Sequence, residues 1–222
     1  MKSTMFDLKL PTHAPERHQG TGVTFPIPTL KAYAIEYAEF SFKGGFREHK
    51  ELTQGRDFEL TDDGLVWHDF FSPLSPDLNY YRLVIHYHGI RDYELLFPQV
   101  QEPVLRARLG KYYEEAEATF DNGVWLSFSL MCAAVYEGLL FAHFRFRKDT
   151  PFSDMITKAE ETAIIDKDTA RIMHVARELR NLVHANKAAD PFVSRLQAMD
   201  MRTVMDRLIQ QASHWPAVGK PE

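Results

Sequence analysis

Cysteine is almost absent from this chain of 222 residues, which has a single one, Cys132. One thiol cannot form a disulfide within the chain, so a small scaffold held together by disulfides is excluded. The neighbours Leu130, Met131, Ala133 and Ala134 are apolar, which predicts a buried and unreactive thiol. A reducing cytoplasm is the compartment that fits this composition.

A long uninterrupted apolar run is also missing. Residues 1–19 carry prolines and charges without an apolar core region, so this segment does not have the pattern of a signal peptide. The most apolar stretch, residues 124–146, is interrupted by Glu137, His143 and Arg145. These polar residues favour a helix in a protein core over a membrane span, and we expect no membrane partner.

The chain has no surplus of basic residues. Its formal net charge is −5, and the whole deficit lies in residues 1–104, with 10 Lys/Arg against 15 Asp/Glu, whereas residues 105–222 hold 16 of each. A general basic field that would attract nucleic acid is therefore excluded. Any contact with RNA has to be made by a local patch of side chains.

The region before residue 104 contains eight of the twelve prolines. Its patterns predict an extended arm over residues 1–28, a helix from Thr29 to about Phe42, a β-hairpin over 58–71 around the turn signal Asp62-Asp63-Gly64, and a strand over 80–87. We therefore expect a mixed α/β region of unknown role over residues 1–104.

The region after residue 104 shows helical spacing of apolar residues almost throughout. The predicted helices span residues 104–120, 124–147, 153–161, 166–186 with Asp166 as the N-cap, and a last one from Asp190-Pro191 to about 214. Together they predict an all-α antiparallel bundle over 105–214, followed by a tail over 215–222. The expected fold class of the whole chain is α+β.

The segment from Arg177 to Lys187 is the strongest candidate for a functional site. In a continuous helix, Arg177 and His184 lie about 20° apart on the face opposite the apolar stripe, and Arg180 and Asn181 flank the histidine. Arginine suits a phosphate charge and histidine suits proton transfer, so the patch predicts phosphodiester chemistry. Glu137, in an apolar helix, needs a partner, and an arginine of this segment is the natural one.

Other interpretations of these residues are open. An Arg–Glu pair between helices can be purely structural, and a histidine near a helix C-terminus stabilises the helix through its dipole. A zinc site built on His86 and His88, which alternate on a predicted strand, with His68-Asp69 nearby, lacks an evident fourth ligand. We therefore predict no metal and no cofactor.

Four segments in the helical half resemble, in order, those of a HEPN domain of the uncharacterised bacterial branch. They are Lys111–Phe120, Trp125–Leu140 with Glu137 late in the helix, the short helix and linker at 154–160 and 164–170, and the motif Arg177–His184, an arginine and a histidine separated by six residues. The resemblance covers residues 105–214. The sequence departs from the family in that only three residues separate Arg180 from His184, and Ala185 stands where many relatives have proline.

The resemblance implies an antiparallel helical bundle that often dimerises, and frequently a metal-independent endoribonuclease of antiviral or toxin systems. His184 would then be the general acid or base, Arg177 or Arg180 would hold the scissile phosphate, and Asn181 would orient the histidine, with Glu137 as a further site residue. The expected partners are RNA, a protein such as an antitoxin, and a second copy of the chain. The alternative is a non-catalytic HEPN-like module for protein or nucleotide binding and dimerisation.

Overall fold

The computed structural model describes residues 1–9, 22–44, 50–68 and 79–216. The chain divides into two compact units, Met1–Asp92 and Tyr93–Glu222. Within the described residues the fold is α+β, with two antiparallel sheets in the first unit and five α-helices in the second. The compositional change near residue 104 coincides with the start of the first α-helix, while the second unit already begins at Tyr93.

The first unit is built from strands. In the part of it that the structure describes, they are β1 (Lys2–Leu8), β2 (Val23–Pro26), β3 (Tyr33–Gly44), β4 (Lys50–Leu52), β5 (Phe58–Thr61), β6 (Gly64–Trp67) and β7 (Asn79–Ile90). One sheet has the order β1-β7-β3-β4 and the other the order β2-β6-β5. Alternation along β7 buries Tyr81, Leu83, Ile85 and Tyr87 on one face, as expected for a sheet covered on one side. The predicted strand over 80–87 is confirmed.

The predicted hairpin is confirmed as β5 and β6. Thr61 pairs with Gly64, which leaves Asp62 and Asp63 as the turn. Glycine is required at position 64 because a Cβ there would clash with the carbonyl oxygen of Phe25 on β2. Residues 69–71, which the hairpin prediction also included, lie outside the described residues.

The predicted helix over residues 29–42 is wrong. A short 3-10 helix, Leu30–Ala32, leads directly into the long strand β3. Ala38 and Phe40 are buried while Glu39 between them is exposed, so the period here is two rather than 3.6. Pairing with β7 on one edge and β4 on the other overrides a spacing that also fits a helix.

The predicted extended arm over residues 1–28 is also corrected where it is described. Lys2–Leu8 forms an edge strand of the larger sheet and Val23–Pro26 an edge strand of the smaller one. Phe6, Val23 and Phe25 are buried, because each points to the inner face of its sheet. Residues 10–21 lie outside the described part of the chain.

The second unit is helical, with α1 (Pro103–Asp121), α2 (Trp125–Phe144), α3 (Phe152–Glu161), α4 (Lys167–Leu179) and α5 (Arg195–Ala212) in its described residues. The first three match the predicted helices to within three residues at each end. Asp166 is the N-cap of α4, as predicted: its Oδ1 accepts a hydrogen bond from the backbone N–H of Thr169 at 2.7 Å.

Helix α2 packs against the other four helices. By length and composition alone it would be able to cross a membrane, with a mean hydropathy of 1.5 over an 18-residue window of which 44% is buried. It carries Cys132, which is buried as predicted. Burial raises the pKa of the Cys132 thiol, so the thiolate that would react is disfavoured.

Two predicted helix boundaries are wrong. Helix α4 ends at Leu179 rather than near residue 186, and two 3-10 turns, Arg180–Val183 and Ala185–Lys187, follow it. No residue of these turns is buried, so a longer helix would gain little stability from burial.

Helix α5 begins after Ser194 rather than at Asp190-Pro191. The side chain of Ser194 accepts from the Gln197 backbone N–H at 3.2 Å, and Gln197 Oε1 accepts from the Ser194 backbone N–H at 2.9 Å. This reciprocal capping box satisfies backbone groups that a start at Pro191 would leave to solvent.

Candidate active site

Glu137 and Arg180 form an ion pair that joins α2 to the turn after α4. The Arg180 guanidinium donates from Nη1 to Glu137 Oε2 at 2.8 Å. The predicted pairing of Glu137 with an arginine of the motif segment is therefore confirmed. The two side chains are 44% and 35% exposed, so the pair adds at most about 1 kcal/mol of stability. Its main effect is to orient the guanidinium.

His184 lies between the two 3-10 turns with an extended backbone, at φ −83° and ψ 135°. Its backbone N–H donates to the Asn181 carbonyl at 3.1 Å, and its own carbonyl accepts from the Lys187 N–H at 2.9 Å. The side chains of His184 and Asn181 are exposed. Within the described residues neither makes a side-chain hydrogen bond or ion pair, so both are available to a substrate.

Arg177 is in a different environment. It lies on the last turn of α4, with Nη2 3.6 Å from Glu178 Oε1. Its Nε is buried and finds no acceptor among the described residues. The expectation that Arg177 and His184 share one face of a continuous helix is wrong, because α4 ends at Leu179 and the helical rotation does not extend to residue 184. The structure brings Arg180, Asn181 and His184 together in one exposed connection.

A buried polar network in the same unit was missed by the sequence analysis. Arg202 on α5 donates to Glu117 Oε1 on α1 at 3.1 Å and to Asp206 Oδ2 at 3.0 Å. Each carboxylate also accepts from a tyrosine hydroxyl, Glu117 from Tyr93 at 3.0 Å and Asp206 from Tyr113 at 3.1 Å. The only sequence signal was the i, i+4 spacing of Arg202 and Asp206.

This network holds α1 and α5 together. The side chains of Arg202 and Glu117 are only 17% and 6% exposed. Burial lowers the pKa of the Arg202 guanidinium, but attraction by Asp206 and Glu117 outweighs burial and the net shift is upward. The guanidinium therefore stays charged, with a carboxylate on each side. Since these charges satisfy one another, we interpret the network as structural.

The zinc hypothesis is not supported by the positions of the three histidines. His86 and His88 face the same side of β7, but each ring Nε2 is hydrogen-bonded to a carboxylate of β3, at 3.1 Å to Glu39 and 3.0 Å to Glu36. His68 follows β6 in the other sheet. Over the described ranges, no three His, Cys, Asp or Glu side chains cluster closely enough to bind a metal ion. Asp69 lies outside those ranges.

Comparison of the chain with protein-family models, with curated proteins and with solved structures found no match. The function therefore has to be inferred from the geometry of the residues.

Proposed function

We propose that the helical unit is a HEPN-like bundle acting as a cytoplasmic, metal-independent endoribonuclease of the defence or toxin kind. One observation carries the proposal: an exposed His184 follows an exposed Asn181 and an Arg180 whose guanidinium is oriented by Glu137. Imidazole transfers protons near neutral pH, and a guanidinium is a preferred partner for a phosphate. We assign the phosphate contact to Arg180, because the Nε of Arg177 is buried.

In the proposed reaction the 2′-hydroxyl of RNA attacks the adjacent phosphorus. His184 accepts the hydroxyl proton as general base, the new O–P bond forms, and the bond to the 5′-oxygen breaks. Water protonates the leaving oxygen, so the products are a 2′,3′-cyclic phosphate and a 5′-hydroxyl. Arg180 stabilises the charge on the phosphoryl oxygens in the transition state, and Asn181 donates a further hydrogen bond. DNA is not cleaved by this route because it has no 2′-hydroxyl.

Cleavage of single-stranded RNA in the presence of EDTA tests the proposal. His184→Ala should abolish cleavage, and Arg180→Ala should reduce the rate by about 10² to 10³, the usual cost of removing one transition-state donor. Arg177→Ala should have a smaller effect. His214→Ala, which removes another exposed histidine of the same unit, is the matched control and should cleave normally. Cleavage that survives His184→Ala, with folding verified by circular dichroism, contradicts the assignment.

The alternative function is a non-catalytic HEPN-like module for protein or nucleotide binding and dimerisation, and one surface feature favours its dimerisation. Phe192, three residues before α5, and Leu196 and Met199 in the first turns of α5 are 69%, 71% and 46% exposed. Large apolar side chains concentrated at one place on a surface mark a protein contact. A second copy of the chain is the occupant we propose.

Sedimentation of the wild type and of the double variant Phe192→Asp/Leu196→Asp tests this alternative. A wild-type dimer that the double variant converts to a monomer, together with no RNA cleavage by the wild type, would favour the module. A wild-type monomer at all concentrations would contradict it. Sedimentation with a protein partner only would identify a heterologous contact instead of a homodimer.

A further inference from the structure

An open groove with a volume of about 970 Å³ lies in the helical unit. It is lined by the segment before α1, the first turns of α1, the end of α2 and the end of α5. Its size is in the range of small-molecule binding sites. None of the residues proposed for RNA cleavage lines it, so the groove is separate from the proposed cleavage site.

Unpaired polar atoms concentrate at this groove. Over the described residues, six buried side-chain atoms lack a hydrogen-bond partner, and four of them belong to Gln99, His143 and Trp215, which line the groove. They are both amide atoms of Gln99, Nε2 of His143 and Nε1 of Trp215. Buried polar groups are nearly always paired in folded proteins. Three such side chains at one groove leave hydrogen-bonding capacity that a bound ligand or water can satisfy.

The groove also carries positive charge. Arg108, Arg145 and Lys148 line it and are exposed, and none of them has an ion-pair partner in the part of the chain that the structure describes. The carboxylate that lines it, Glu102, is engaged by backbone N–H groups in the first turn of α1. Because Glu102 is already bonded to the backbone, it does not neutralise these cations, and the groove favours an anionic ligand. Guanidinium groups favour a phosphate in particular.

The backbone of Arg145 makes the contribution of its side chain testable. This residue caps the C-terminus of α2 in the left-handed conformation, at φ 54° and ψ 44°. Glycine is the usual residue at such a helix end, because a Cβ is disfavoured there. Replacing Arg145 with glycine therefore removes a cation that lines the groove without straining the backbone.

The aromatic side chains define the other half of the ligand. The rings of His143 and Trp215 are 5.0 Å apart at 72° and stand edge to face. Burial lowers the pKa of His143, so this ring is neutral at pH 7 and adds no fourth positive charge. A neutral imidazole offers one donor and one acceptor, and the Gln99 amide also offers both. A nucleobase has a flat aromatic face and hydrogen-bonding edges, so it suits aromatic side chains that lie beside groups offering both a donor and an acceptor.

From this combination we propose that the groove is a mononucleotide-binding site. The base packs against Trp215 and His143 and bonds to the amide of Gln99, which a rotation of its side chain turns toward the groove. The phosphate binds Arg145 and Lys148. The proposal does not rest on the ribonuclease proposal, because the two sites share no residue.

Calorimetric titration of the full chain with AMP, GMP, CMP and UMP, and separately with the four matching nucleosides and inorganic phosphate, tests this site. At least one mononucleotide should bind in the micromolar range, with the matching nucleoside and phosphate each at least about tenfold weaker, since each fills one half of the site. No binding of any mononucleotide at millimolar concentration overturns the proposal. Phosphate binding as tightly as the best nucleotide overturns the base subsite.

Two pairs of variants locate the site. Arg145→Gly suits the left-handed backbone and should lower nucleotide affinity by about tenfold or more. Arg147→Ala, an exposed arginine two residues away that does not line the groove, should change nothing. Gln99→Leu should remove discrimination among the four bases. His184→Ala should bind normally, which separates this site from the cleavage site. Equal affinity of wild type and Arg145→Gly would overturn the assignment.

Discussion

Two parts of the helical unit use charge in opposite ways. Between α1 and α5, Arg202 bonds two carboxylates, and each of these also accepts from a tyrosine. At the groove, three cationic side chains have no ionic partner among the described residues, and neutral polar atoms are buried without a hydrogen-bond partner. The first arrangement contributes its charges to the stability of the fold. The second keeps them available for another molecule.

The largest effect on stability is expected from breaking the Arg202 network. Arg202→Met leaves Glu117 and Asp206 without their counterion, in surroundings where Arg202 and Glu117 are only 17% and 6% exposed. Loss of one partner of a buried pair costs about 3–5 kcal/mol. Urea unfolding followed by circular dichroism measures the loss. Arg171→Met, at an exposed arginine 3.9 Å from Asp168, is the control and should leave stability unchanged. A loss no larger than in that control would show that the network does not stabilise the fold.

A substitution at the groove is expected to raise stability instead of lowering it. Arg145→Gly removes a left-handed arginine and should raise the free energy of unfolding by about 1 kcal/mol, while the proposed nucleotide affinity falls. Arg147→Gly, at a residue without positive φ, should give no gain. Thermal unfolding of both variants makes the comparison. A destabilised Arg145→Gly would show that the arginine side chain contributes to the fold rather than to a ligand.

Glu137→Gln is expected to lower stability slightly and the rate of RNA cleavage more strongly. The Glu137–Arg180 pair is partly exposed, so its loss should cost about 1 kcal/mol or less. The guanidinium loses its orientation, however, and the rate of RNA cleavage should fall more than stability does. Single-turnover cleavage measured beside urea unfolding separates the two effects. A fall in stability with an unchanged cleavage rate would assign Glu137 a purely structural role.

The smallest effect concerns pH. Burial lowers the pKa of His143 in the folded unit, while the pKa of a histidine in an unfolded chain is about 6.5. The unfolded chain therefore binds more protons as the pH falls below about 6.5, and stability decreases there, whereas above this pH both states are neutral. His143→Gln should remove part of this acid dependence in unfolding curves between pH 7.5 and 5, and His214→Gln should not. Parallel curves for wild type and His143→Gln would contradict the expected shift.

Local signals predicted the parts of the fold that depend on local interactions. The hairpin followed from Asp62-Asp63-Gly64, the start of α4 from the Asp166 cap, and the first three helices from their apolar periodicity. Strand β3 was not predictable in the same way, because its apolar spacing also fits a helix and only pairing with β7 decides the matter. The end of α4 likewise depends on which residues find packing partners.

The candidate sites show the same division. The Arg180–Glu137 pair was predictable, since a carboxylate in an apolar helix requires a cation. The Arg202 network was not, because Glu117 is 85 positions away in the chain. The groove is lined by Gln99, Arg145 and Trp215, which come from three distant segments of the chain. No local sequence pattern predicts that these residues lie close together.

Helix α2 has one mechanical consequence. It carries Glu137 along its length and Arg145 at its C-terminal cap, eight residues apart and so separated by about 12 Å along the axis. An α-helix is a stiff element, and α2 packs against the other four helices of its unit. One helix therefore fixes the spacing between the proposed phosphate contact at Arg145 and the carboxylate that orients the Arg180 guanidinium.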